Sequence, residues 1–271
     1  MPANGETMIE RVIRILEVFD DEQSLTASEI ARRTGIPVPS AHRIVTDLIR
    51  SGLLERDGRN GIRMGLRLWE LATRASGALT LRDVALPYME DLHAAVQQHT
   101  QLSVLDRNDV LYVEKLTSPR SSSTNITQPG SRLPVLACAA GLVLTAFSSR
   151  QNRESILTTA KLTRFTESTV VDRGRLRELV ADVRQTGFAV ARAWIHPGTS
   201  GTAVPILGRD GTAMAALSVT TPLPTDERLT LVPALRTAAR AIARAADTDV
   251  RAADPRLNVL KQKVRRATAA S

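Results

Sequence analysis

The chain has few aromatics and almost no thiol. Phe, Trp and Tyr make up 3% of its 271 residues, against 43% hydrophobic residues overall, so any core must be aliphatic. A single cysteine, Cys138, excludes an internal disulfide and fits a reduced, cytoplasmic setting. Long hydrophobic runs are missing too. The longest uncharged apolar stretch, Leu133 to Phe147, falls short of the roughly 20 residues a membrane-spanning helix needs, so a buried helix is expected there and no membrane partner. The opening residues MPANGETMIERVIRI carry acids where a signal peptide needs an apolar centre. The histidines His42, His93, His99 and His196 are scattered, and none is close in sequence to Cys138, so no metal site is expected. Gly198, Gly201, Gly208 and Gly211 do not form a phosphate loop between a strand and a helix, and there is no Gly-x-Ser-x-Gly elbow. Cys138, inside an apolar helix, reads as an inert buried thiol, and His196 before Pro197 as loop surface. No cofactor and no enzymatic chemistry are expected.

What the chain does have is positive charge. Thirty-six Lys and Arg face 28 Asp and Glu, a formal net charge of +8, which favours an anionic partner. The most informative stretch runs from Thr26 to Arg63, TASEIARRTGIPVPSAHRIVTDLIRSGLLERDGRNGIR. Thr26 followed by Glu29 is a capping box that opens a helix. Gly35 ends that helix and Ile36-Pro37 turns the chain. Ser40 to Arg50 is a second helix with Ile44, Val45, Leu48 and Ile49 inward and Gly52 as C-cap. Leu53–Arg56 and Ile62–Met64 are short strands around the turn Asp57-Gly58-Arg59-Asn60-Gly61. Two helices about a tight turn, followed by a β-wing, fit the major groove of DNA.

The remaining pattern is mixed. Met8–Phe19 is an amphipathic helix, Leu66–Leu79 a linker helix and Leu81–Gln98 a further helix. From Gln101 the period changes to two. Leu102–Leu105 and Val110–Leu116 form a hairpin, followed by a Ser/Thr-rich loop over Ser118–Gln128. Leu136–Phe147 is the buried helix, with surface helices over Asn152–Thr159 and Asp172–Thr186. Phe188–Arg192, Thr202–Leu207 and Ala213–Thr220 are strands, and Asp226–Ala246 is a long helix. The fold class is α+β with an antiparallel sheet. The expected divisions are 1–65 for a winged helix-turn-helix domain, 66–80 for the linker, 81–247 for a second domain and 248–271 for a basic, mobile tail.

On the second motif helix the apolar positions take the core side and leave Ser40, His42, Arg43 and Thr46 toward solvent. Arg43 is suited to guanine O6 and N7. Ser40 and His42 are placed for phosphates or bases. Thr26 and Ser28 place the start of the first motif helix against a phosphate. Arg59 and Arg63 on the wing suit phosphate or a narrow minor groove.

These residues resemble the DNA-binding domain of IclR-type transcriptional regulators, through LTASEIARRTGIPVPSAHRIVTDLIRSGLLER and then GLRLWEL. The likeness continues through LSVLDRNDVLYVEKLTSPR, SRLPVLACAAGLVLTAF, GFAVARAWIHPG and AVPILGRDGTAMAALSVTTP. It implies a bacterial, cytoplasmic, nucleoid-associated homodimer or homotetramer on a double-stranded operator, with a GAF-like second domain that binds a small organic effector. Carried over by motif, the effector lining is Leu136, Ala139, Ala140, Ala191, Thr199, Gly201, Ser218 and Thr220. From the residues themselves, Ser218 and Thr220 share one strand face. Trp194 and Arg192 stand nearby as a flat wall and a cation. The family often has His at 136, an acid at 191, Cys at 201 and Lys at 142; this chain has Leu, Ala, Gly and Leu. The pocket is thus expected to be more apolar and roomier than one for a two- or three-carbon keto acid, suited to a larger, partly aromatic or apolar ligand, with or without a carboxylate. The alternatives are an effector-independent DNA-binding regulator with a degenerate pocket, or an enzyme on a GAF-like domain.

Overall fold

The computed structural model describes residues 6–19, 24–58, 60–75, 77–119, 121, 124–224 and 227–252. The chain divides into two compact units, one up to Gly77 and one from Ala78.

In the first unit, helix α1 spans Met8–Glu17, α2 Ala27–Thr34 and α3 Val38–Arg50. The capping box is present: Thr26 N donates to Glu29 Oε2 at 2.8 Å, and Glu29 N donates to Thr26 Oγ1 at 3.2 Å. These bonds hold the Glu29 carboxyl below the usual carboxylate range, with the Thr26 backbone N–H as the largest cause. Gly35 closes α2 at φ 68°, a left-handed geometry that a Cβ disfavours. Helix α3 starts at Val38, two residues before the expected Ser40. Pro37 is its N-cap and Pro39 lies in its first turn, where a missing N–H costs nothing. Its C-cap is Ser51 rather than Gly52, which follows at φ 75°. Strands β1 (Leu54–Asp57) and β2 (Gly61–Met64) pair antiparallel, Leu54 opposite Met64. Leu25 adds a bridge to Ile62, with N···O distances of 2.9 and 2.8 Å. The core gathers Ile15, Leu25, Ile30, Ala41, Ile44, Leu48, Leu54 and Ile62. Burial of each such aliphatic side chain stabilises the fold by roughly 1.5–3 kcal/mol. Helix α4 covers Leu66–Ala75; residue 76 lies outside the described residues, and Leu79, the expected end of the linker helix, falls within the next helix.

The second unit begins with α5, Gly77–Val96. Strands β3 (His99–Asp106) and β4 (Asp109–Leu116) form the expected hairpin, and β5 (Arg132–Pro134) lies beside β4. The single buried helix expected over Leu136–Phe147 is two pieces. A 3-10 turn, Val135–Ala137, is separated from α6, Ala139–Ala146, by Cys138, whose extended backbone (φ −144°, ψ 160°) breaks the helix. Helices α7 (Arg150–Thr159) and α8 (Arg173–Thr186) follow, then β6 (Ala189–Arg192), β7 (Thr199–Leu207) and β8 (Ala213–Pro222). Helix α9 runs from Glu227 to Ala252, so the first residues assigned to a tail are helical; 253–271 lie outside the described residues.

The six strands form one antiparallel sheet in the order β5-β4-β3-β8-β7-β6. Its period of two sends side chains to two cores. Leu102, Val204, Ile206, Leu217 and Val219 face α5 and α9. Val110, Tyr112, Ala203 and Ala216 face α6, α7 and α8. Toward one end of the latter face the sheet carries Gln101, Ser218, Thr220, Thr199 and Gly201 instead of large aliphatics, and there a cavity opens.

Candidate DNA interface and effector pocket

On α3 the buried set is Ala41, Ile44, Val45 and Leu48. Their i, i+3, i+4, i+7 spacing fixes the opposite face outward. His42, Arg43 and Thr46 are exposed and Ser40 is half-buried. Thr46 Oγ1 donates to the His42 carbonyl at 2.8 Å, which leaves its lone pairs outward. Arg50 pairs with Asp47 at 3.2 Å and so neutralises the acid on this face. Ser28 is exposed at the start of α2. Thr26 is committed locally: its hydroxyl donates to Glu29 at 2.7 Å, so only the helix terminus it caps is open to a phosphate. Arg63 is exposed on the wing and its Nε donates to Glu55 at 2.7 Å. Arg59, at the wing tip, lies outside the described residues.

The cavity of the second unit lies between the start of α6 and the sheet. Ala139, Ala140, Ala191, Thr199, Gly201, Ser218 and Thr220 line it. Leu136 and Trp194 do not. Leu136 is 2% exposed within the 3-10 turn, and Trp194 is 7% exposed in the core, its carbonyl accepting from Thr169 Oγ1 at 2.6 Å. The break at Cys138 explains Leu136: a continuous helix would present position 136 one turn before Ala140, whereas the 3-10 turn rotates it into the core. Arg192 is exposed and is not among the lining residues. The cavity has a volume of about 570 Å³ counted out to its open mouth.

Several lining residues lack a local signature in the sequence. Gln101 is buried on β3 directly opposite Ser218 on β8. Its Oε1 accepts from Ser218 Oγ at 3.1 Å, and its Nε2 donates to Thr220 Oγ1 at 3.1 Å. The segment Thr124–Thr127 crosses the cavity as a strap. Lys115 Nζ ties it down by donating to the carbonyls of Asn125 at 3.2 Å and Thr127 at 2.7 Å. Partial burial lowers the Lys115 pKa from its ordinary value. Thr127 N donates to Asn125 Oδ1 at 3.0 Å, and a backbone N–H can only donate, so this bond fixes which end of the amide is oxygen. Asn125 Nδ2 is left enclosed with no hydrogen-bond partner among the described residues. An enclosed donor without an acceptor costs about 1–3 kcal/mol.

His196 also differs from expectation, because it is half-buried at the cavity rather than loop surface. Its Nδ1 accepts from Gly198 N at 3.2 Å, so a neutral ring carries its proton on Nε2. Cys138 is buried but lines the cavity, with Tyr112 Oη donating to its sulfur at 3.8 Å. Burial pushes both the thiol and the phenol pKa up, so both are neutral. Cys138 precedes α6, with the backbone N–H groups of Gly141 and Ala140 directed at its sulfur, and the start of that helix abuts the cavity. No Lys or Arg is among its described lining residues. Among the described residues there is no group of three or more potential metal ligands, and no helix is long and apolar enough to cross a membrane.

A winged helix-turn-helix joined to an α+β unit with a small polar-floored cavity defines a transcriptional regulator with a DNA-binding and an effector domain. Comparison with known proteins gives the family. Residues 8–58 match the IclR helix-turn-helix domain and residues 73–244 match the bacterial transcriptional regulator IclR C-terminal domain. The chain belongs to the IclR family of bacterial transcriptional regulators. It is similar to the HTH-type transcriptional regulator KipR of Bacillus subtilis, 28% identical over 216 residues, which cover 80% of this chain and 86% of that protein. A crystal structure of an IclR homolog from Microbacterium hydrocarbonoxydans complexed with 4-hydroxybenzoate is 41% identical. It covers 89% of this chain and 100% of that one, with a TM-score of 0.82. A crystal structure of an IclR homolog from Microbacterium sp. strain HM58-2 is also 41% identical, covering 92% and 99%, with a TM-score of 0.59.

Proposed function

We propose that this protein is a ligand-responsive regulator that binds an operator as a dimer or dimer of dimers and releases or engages it on binding a small aromatic carboxylate of the 4-hydroxybenzoate class. On this reading Ser40, His42, Arg43 and Thr46 read the major groove, Ser28 and the capped end of α2 meet phosphate, and Arg63 with Arg59 holds the wing to the backbone. The cavity residues Ala139, Ala140, Ala191, Thr199, Gly201, Ser218 and Thr220 contact the effector. Gln101 and Asn125 join that set, whereas Leu136 and Trp194 support it from behind. Exposed apolar side chains on α4 (Leu66, 71%; Trp69, 66%) and α1 (Ile9, 71%) supply surface for a second copy.

The observation that carries the effector class is the 4-hydroxybenzoate complex of the 41% identical relative, together with Asn125 Nδ2, which has no partner among the described residues. With no lysine or arginine among the described lining residues, a carboxylate is held by neutral donors. Asn125 Nδ2 fills that role, the start of α6 adding a partial positive charge. The alanines and Gly201 leave room for a flat ring. The experiment is a thermal-shift titration of the full chain. A ligand that binds only the native state at 100 times its Kd adds about 2.7 kcal/mol. 4-Hydroxybenzoate is expected to raise the melting temperature and pyruvate to leave it unchanged. The reverse order, or no shift with any aromatic acid, overturns the proposal.

A further inference from the structure

A second concavity lies in the effector unit, with no lining residue in common with the first and a different chemistry. It is lined by the C-terminal part of α8, the middle of α9 and the end of β7, and holds about 440 Å³ reachable by the centre of a water-sized sphere. Among its described lining residues are three arginines, Arg184, Arg236 and Arg240, and no acid. Its floor is apolar, with Phe147, Pro205 and Leu207. We propose that this concavity is an anion site for a small phosphomonoester with an apolar body, distinct from the effector cavity.

Two of the guanidinium groups are already oriented. Arg184 Nη1 donates to the Ala146 carbonyl at 2.9 Å. Arg236 donates to the Thr186 carbonyl and lies 5.7 Å from the centroid of Phe188. Gly187, at φ 76°, gives it room: a Cβ there would meet Arg236 Nη2 at 3.4 Å. These partners are neutral, so they leave the positive charge uncompensated. Arg240 makes no ion pair or hydrogen bond with any described residue. It sits one turn from Arg236 on the same helix face, an arrangement of like charges that destabilises a helix unless an anion lies between them. Guanidinium groups match phosphate oxygens in geometry, and a phosphomonoester near −2 at neutral pH balances this cluster better than a carboxylate does.

The occupant is small rather than a docking strand. Strand β6 pairs with β7 only from Ser200 to Ala203, so the far end of β7 has an open side. Pro205 stands on that open stretch and offers no N–H to an incoming strand. The chain beyond Ala252 is basic, with Arg256, Lys261, Lys263, Arg265 and Arg266, and does not match the charge of this site.

The test is calorimetric titration of the full chain with phenyl phosphate and with inorganic phosphate, at constant ionic strength set by sodium chloride. Phenyl phosphate is expected to bind more tightly than inorganic phosphate, because only it covers the apolar floor. Arg240→Ala is expected to weaken it about tenfold or more, the loss of one charge-assisted hydrogen bond. The same variant should melt no lower than the parent in the absence of phosphate, since it removes a like-charge neighbour. Binding unchanged in both Arg240→Ala and Arg184→Ala would place phenyl phosphate elsewhere and overturn the proposal, as would no heat beyond that of added chloride. The response to 4-hydroxybenzoate reports separately on the effector cavity, so failure of one reading leaves the other standing.

Discussion

Gly141 is the residue on which the wall of the effector cavity turns. It lies in the first turn of α6, fully surrounded. A Cβ there would overlap the carbonyl oxygen of Val135, lie 2.6 Å from its carbon and 3.0 Å from Val110 Cγ2. The nearest obstacle is backbone of the 3-10 turn, which has no alternative rotamer. Accommodation requires α6 and Val135 to separate by roughly 1 Å, in an interior where overpacking typically costs about 1–3 kcal/mol and occasionally more. Against this, alanine is favoured over glycine within a helix by about 1 kcal/mol. Because the clash is with backbone, the upper end of the cost applies and Gly141→Ala is expected to lose about 2 kcal/mol net. For a unit of this size that lowers the melting temperature by roughly 4–8 °C. Tryptophan emission follows it: Trp194 is 7% exposed in the effector unit, whereas Trp69 is already 66% exposed and changes little on unfolding. Gly201→Ala is the companion. Its Cβ would meet Ala139 Cβ at 3.8 Å, an ordinary contact, but would project into the cavity. It should melt like the parent and bind 4-hydroxybenzoate more weakly. If Gly141→Ala melts at or above the parent, the packing argument for the α6 wall is wrong.

Further expectations concern both units. Arg43→Ala should weaken operator binding by roughly 1–3 kcal/mol and relax preference at one base pair, whereas Arg63→Ala should weaken all duplexes alike and flatten the salt dependence; gel shifts on operator and random DNA across salt separate the two, and equal losses for both variants contradict the assignment. Glu114 is nearly buried and pairs with Arg82 at 2.6 Å, so Arg82→Ala should cost roughly 3 kcal/mol by leaving a buried charge unpaired; denaturant unfolding within error of the parent refutes this. Because burial raises the Cys138 pKa above its ordinary 9.0, the folded thiol keeps its proton where the unfolded one loses it. Stability should therefore decline as pH rises above about 9. Cys138→Ala should show a shallower alkaline decline, and superimposable pH profiles would discount this coupling.

Much of the DNA-binding module was legible because its signals are local. The Thr26 and Glu29 box, Gly35 and the apolar spacing on α3 each act within a turn of helix, and the structure places each as read. The start of α3 was misplaced because prolines at 37 and 39 suit a helix's first turn as well as a loop. The α+β class and the antiparallel hairpins also followed from period and turns, but the order of the strands in the sheet did not. The cavity was legible only in part, since its members meet through register. Gln101 gains meaning only when β3 lies beside β8, which puts it opposite Ser218. Asn125 and Thr127 sit in a Ser/Thr-rich segment whose course depends on Lys115, a residue that reads as an ordinary surface cation. The apolar run gave no warning of the break at Cys138, because the residues around it, Leu136 to Ala140, are all compatible with a buried helix.

Helix α6 is eight residues long, roughly 12 Å from end to end. At its start is the effector cavity; at its finish Ala146 accepts from Arg153 and Arg184, the latter also lining the arginine-rich concavity. A compound seated at either place therefore pushes on the same short rod. If occupancy at one end alters affinity at the other, thermodynamic reciprocity requires an equal effect in the opposite direction, so an aromatic acid and a phosphate ester would report on each other through a single piece of backbone.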